Sequence, residues 1–146
     1  MTATASRLNT YTTVDVETAS QGKLVVMLFN GAIKRAEEAK RQLGKGKNEA
    51  VHNNLIRAQE IIAELRGSLD MKQGEVSRNL DRLYEYFQHL LITANIRKTA
   101  EPIDECVQLM AGMRDTWQEA FQQAAAQAGD APRINQHGSS VLNIQG

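Results

Sequence analysis

The residues of this chain that could do chemistry are few, and their spacing says what kind. Glu49-x-x-His52 puts a carboxylate and an imidazole on one helical face, the motif of di-metal centres in helical bundles. Such a centre needs the motif twice and two further inward glutamates. The nearest second copy, Tyr86-x-x-His89, has a phenol in place of the carboxylate. Glu49 also stands where a helix begins, a position that acidic residues favour for the dipole alone. No metal and no cofactor are expected. His89 or His52, exposed on a helix face, would suit histidine phosphotransfer, so a signalling bundle is the alternative reading. Cys106, the one cysteine, has no histidine partner at an informative spacing. It reads as a small buried thiol in a reducing compartment. No Gly-rich phosphate loop, nucleophile elbow or Cys-x-x-Cys occurs, and the chain reads as a non-enzyme.

The elements that must position these residues are helices. The 146 residues, enough for one domain with a real core, include only two prolines, Pro102 and Pro132. Helix formers dominate residues 20 to 128, and no stretch alternates as a strand does. The N-terminal segment, 1–17, is Thr-rich with isolated apolar points at Leu8, Tyr11, Val14 and Val16. Thr18-Ala19-Ser20-Gln21 fits a capping box, with Ser20 as a competing cap. A first helix then runs to about Leu43, with Val25, Leu28, Phe29, Ala32, Ala36 and Ala39 on its apolar face. Gly31 inside it suggests close approach of a neighbouring helix. Val51, Leu55, Ala58, Ile62, Leu65 and Leu69 mark a second helix from about Asn48, and Asp70–Gly74 a turn. The third helix carries Leu80, Leu83, Phe87, Leu90 and Ala94 on one stripe. Pro102 suits the first turn of a fourth, with Ile103, Val107, Met110, Trp117, Phe121 and Ala124 facing inward until Gly129 and Pro132. Four helices joined by short loops give an all-α, antiparallel four-helix bundle over 18–128, followed by a tail, 129–146.

Zero formal net charge, with His neutral, argues against nucleic acid or an anionic membrane as the main partner. The polar N-terminus does not read as a signal peptide, and no apolar run approaches the about 20 residues of a membrane span. A cytoplasmic chain is expected. What the core stripes leave over is apolar: Leu24, Met27, Ile56, Ile61, Tyr84, Leu91 and Leu109. On the third helix Tyr84 and Leu91, seven apart, suggest a second apolar face beside the first, kept for a partner. Some of these surplus residues could equally pack inward.

Several blocks resemble one family, the flagellin-specific export chaperone FliS. They are Thr18-Ala19-Ser20 with Leu24, Met27-Leu28-Phe29-Asn30-Gly31-Ala32, Ala58-Gln59-Glu60-Ile61-Ile62, Asn79 through Tyr86, Ala94-Asn95, and Arg114 through Ala120. They stand in family order, although Gln21 and Asn30 replace the family's usual Pro and Asp. The resemblance implies a chaperone that binds the C-terminal helical segment of flagellin, prevents premature polymerisation, and presents flagellin to the type III export gate. The gate's receptor is the cytosolic domain of FlhA. Leu8 and Tyr11 match the family's gate-docking pair, on a segment that also covers the empty client groove. The surplus residues become the candidate groove, and Asp in place of Ile56 or Leu91 is expected to abolish flagellin binding in a bundle that stays helical. Trp117 and Tyr86 read as structural aromatics. The tail is similar to flagellin's own end, so Ile134, Val141, Leu142 and Ile144 either mimic the client in the groove or belong to a passive tail. A homodimer is possible, and a structural dimerisation module is a third reading.

Overall fold

A helix with apolar residues every three or four positions must bury that stripe, and four in succession can bury theirs on one another. The computed structural model describes residues 14–130, with side chains over 21–127. The described residues form α1 (Val14–Gly44), α2 (Asn48–Gly67), α3 (Glu75–Arg97) and α4 (Glu101–Asp130), with a 3-10 turn, Met71–Gln73, before α3. Each helix packs on the next and α4 returns to α1, closing a ring. Cross-helix pairs give the directions. Asn30 and Lys40 of α1 meet Arg114 and Asp104 of α4, while His52, Gln59 and Arg66 of α2 meet Asn95, Gln88 and Asp81 of α3. In both seams numbers rise on one helix as they fall on the other, as in an antiparallel bundle.

The corners follow local chemistry. Between α1 and α2 it is Gly46, at φ 71°, that takes the left-handed conformation, not Gly44. Asp70 caps the 3-10 turn by accepting from the Lys72 amide at 3.0 Å. Lys98 ends α3 in the left-handed region, at φ 53°. Its ammonium donates to the Asn95 carbonyl and Oδ1 at 2.6 and 2.8 Å, tying down the strained residue. The helix start expected at Thr18 is corrected: α1 begins at Val14 and runs through the Thr18–Gln21 motif. Asp15 and Glu17 then lie in its first turn, where the dipole favours carboxylates.

The core shows why α3 is so apolar. Phe87, Leu90 and Ala94 are buried as the stripe requires, and Leu80 and Leu83 pack against the same cluster. Tyr84 and Leu91, at 2% and 0% exposure, are core as well. They are not a reserved second face; a helix between two neighbours buries an arc wide enough for both stripes. Tyr84 meets Phe29 edge-on at 5.8 Å and Phe87 at 5.9 Å. Its hydroxyl accepts from the Trp117 indole at 3.1 Å, so the buried oxygen has a partner.

Close approach occurs at a different glycine from the one expected. A Cβ on Gly31 would meet only Ile61 Cδ1, at an ordinary 3.4 Å, whereas a Cβ on Gly22 would lie 2.7 Å from Phe121 Cγ. The α1–α4 seam closes because residue 22 has no side chain. Urea unfolding should therefore give opposite signs. Gly22→Ala loses about 1–3 kcal/mol from overpacking, and Gly31→Ala gains about 0.5–1 kcal/mol from helix propensity.

Candidate functional site

Single exposed apolar residues are normal on a protein surface; clusters ask for a partner. The sequence-derived groove residues divide by seam. Leu24 and Met27 are exposed, Met27 at 66%, and precede Gly31 by seven and four residues, which places them on the α1–α2 side. There a cleft of about 530 Å³ is lined by Gly31, Lys34, Arg35 and Glu38 of α1 and by Asn54, Arg57 and Ile61 of α2. Ile61 is 5% exposed, mostly core. Ile56 is half-buried on the α2–α3 side, between His52 and Gln59, which both bond to α3. Leu109 is exposed one turn after Glu105, whose carboxylate accepts from the Tyr86 hydroxyl across the α3–α4 seam. The structure thus brings Leu24, Met27 and Ile61 to one seam, sets Ile56 and Leu109 on two others, and removes Tyr84 and Leu91 to the interior. Leu8, Tyr11, Ile134, Val141, Leu142 and Ile144 lie outside the described residues.

Sequence reasoning missed two α3 residues, Ile92 and Ile96, exposed at 43% and 78%. Ile92 lies between Gln88 and Asn95, both bonded to α2, so by register it shares the Ile56 side. The signal was present as an apolar pair four residues apart, off the main stripe.

Polar contacts set the seams between these patches. Arg66 of α2 grips Asp81 with two guanidinium nitrogens, at 2.9 and 3.2 Å, and donates a third bond to Gln88 at 2.8 Å. These bonds hold the Asp81 carboxyl below its ordinary range. Arg114 donates to Asn30 at 2.9 Å, so this cation meets a neutral acceptor across the α1–α4 seam. Of the candidate chemical groups, His52 bonds to Asn95 through Nδ1 and His89 stacks on Tyr86 at 6.3 Å. No three His, Cys, Asp or Glu side chains converge on a metal-sized point among the described residues. Burial pushes the Cys106 thiol up to about 12, far from a reactive thiolate. No helix among the described residues is long and apolar enough to cross a membrane.

A bundle without catalytic convergence, carrying apolar side chains on several seams, is suited to holding another chain. A family model described as flagellar protein FliS matches residues 4–124. The chain belongs to the FliS family. It is 32% identical to the flagellar secretion chaperone FliS of Bacillus subtilis over 127 residues, 87% of this chain and 89% of that one. To the flagellar secretion chaperone FliS of Salmonella typhimurium it is 35% identical over 130 residues, 85% of this chain and 96% of that one. FliS is a family of chaperones, not of enzymes.

The Arg66–Asp81 clamp has a testable pH signature. Because the folded Asp81 pKa is lowered, its contribution is present above the unfolded value and lost as pH falls through the folded one. Arg66→Ala should cost about 1 kcal/mol at neutral pH. In urea titrations at several pH values, the gap to the parent should narrow below Asp81's ordinary 3.8.

Proposed function

We propose that this chain holds the helical C-terminal segment of newly made flagellin in the cytoplasm, prevents its premature polymerisation, and delivers it to the flagellar type III export gate. The observation that carries this reading is the distribution of the exposed apolar side chains. Leu24 and Met27 stand by the α1–α2 seam, Ile56 and Ile92 by α2–α3, Ile96 on the outward face of α3, and Leu109 by α3–α4. A compact partner would use one such patch. A long segment that is apolar along one face and folds as it binds can use all of them, offsetting its ordering cost by contact spread around the bundle. Ile61, at the cleft beneath the α1 stripe, gives that side an apolar floor.

Delivery is the second half of the proposal. Leu8 and Tyr11, three residues apart, share a face whenever their segment is helical. The resemblance supports the reading that they dock on the cytosolic domain of FlhA.

The two halves separate by experiment. Leu24→Asp with Met27→Asp, and Ile56→Asp alone, should keep the helical circular dichroism and lose flagellin co-purification. Leu91→Asp is no longer such a test, because a carboxylate at a fully buried position unfolds the core. Leu8→Ala with Tyr11→Ala should keep flagellin binding but lose capture by the purified FlhA domain and flagellin export. Flagellin binding unaffected by all three surface aspartates would sink the client-holding surface proposed here.

A further inference from the structure

The α3–α4 seam is closed at one end of the bundle and uncovered at the other, although its apolar stripes continue. Residues seven apart occupy equivalent helical positions. Leu90 is buried, yet Leu83 is only partly so and Val76 is 53% exposed. Phe87 is buried and Leu80 is not. On α4 the same holds: Cys106 and Met110 are buried, while Met113 and Trp117, seven residues further on, are half-exposed. Gly112, between them, has nothing within 4 Å of where a Cβ would stand. Among the described helices this seam is also the least extensive of the four in the ring. Ala124, seven residues beyond Trp117, is buried again at 6%. The part of the seam left open is therefore the stretch of Val76, Leu80 and Leu83 on α3 with Met113 and Trp117 on α4. The inner edges of Leu80, Leu83, Met113 and Trp117 rest on the core.

α4 ends at Asp130, at this uncovered end, and residues 131–146 follow it. From Arg133 onward that segment carries no Asp, Glu, Lys or further Arg, and it includes Val141, Leu142 and Ile144, so burying it desolvates few charges. The reach suffices. Trp117 lies thirteen residues before Asp130, about 20 Å back along the helix, while the eleven residues to Val141 span up to about 36 Å extended. The segment hangs from α4, one wall of the seam, and can double back without crossing another helix. The N-terminal segment leads into α1, which packs on α2 and α4 rather than bordering this seam, and it has Arg7 beside Leu8.

We propose that residues 131–146 fold back on the uncovered half of the α3–α4 seam, seating Val141, Leu142 and Ile144 against Leu80, Leu83, Met113 and Trp117, and that a client must displace them. The second half rests on the client-holding reading above; the first does not.

Trp117 is the only tryptophan, so its emission reports on this face directly. In a chain ending at Asp130, with circular dichroism confirming the fold, the emission should shift to the red. A synthetic peptide of residues 131–146 should reverse the shift saturably. Val141→Asp with Leu142→Asp in the full chain should reproduce it. Flagellin should then bind the shortened chain more tightly, by about tenfold if the covered form is about nine-tenths populated. Emission unchanged by both variants overturns the proposal. So does a shift that appears on removing residues 1–13 instead, or one that vanishes on diluting the full chain, which would mean a second copy. A shift with unchanged flagellin affinity overturns the displacement step. A full chain that binds no flagellin at all, with or without the segment, overturns the reading of the client instead.

Discussion

A phenol hydroxyl carried into an apolar interior must find a partner there or lose about 1–3 kcal/mol of stability. Much of this bundle follows from how Tyr84 meets that demand. The ring wedges between Phe29 of α1 and Phe87 of its own helix, and its oxygen accepts from the Trp117 indole of α4. One residue of α3 thereby fixes the rotation of α3 and its distance from two neighbours. The bond spans an offset. Tyr84 and Phe87 are three residues apart, yet their α4 partners, Trp117 and Cys106, are eleven apart. Helical side chains lean toward their own N-terminus, so in antiparallel helices Tyr84 and Trp117 lean toward each other and can meet across that stagger. Where they meet, the tightly packed half of the seam gives way to the uncovered half.

That rotation decides which residues are left for a partner. Turning Tyr84 and Leu91 inward places Ile92 and Ile96 outward, Ile92 on the side that faces α2 and Ile96 further round. Core and surface on α3 are set by the same rotation, so what turns Tyr84 in also decides that Ile92 and Ile96 face out. The cleft by Gly31 is less constrained. Its walls carry Lys34, Arg35 and Arg57 on flexible stems, and its floor is the edge of Ile61 alone.

Much of the fold was legible in the chain because long helices with regular apolar steps leave few alternatives. Asp70–Gly74 read as a turn, Pro102 as a helix start and Asn48 as another, and each stands there. The misreadings share a physical cause. Periodicity gives the spacing of a stripe but not the width of the arc that two neighbours bury, so Tyr84 and Leu91 looked spare. A capping motif describes four residues, whereas helix propagation through Thr18 is favoured by turns on both sides of it. Gly31 drew notice as a glycine inside a stripe. The glycine that matters is Gly22, and only the position of Phe121, a hundred residues away in sequence, reveals why.

The first and last of the four helices pack on each other from Gly22 against Phe121 to Lys40 against Asp104. The chain emerges from the ribosome in order, so α1, α2 and α3 are complete while the face of α1 that α4 will cover is still bare. The contacts that close the ring join residues far apart in sequence, and such contacts form late. Until α4 is made, the apolar residues that it covers stay exposed, a surface prone to capture or aggregation. The bundle's own core is complete only when its final helix has been made.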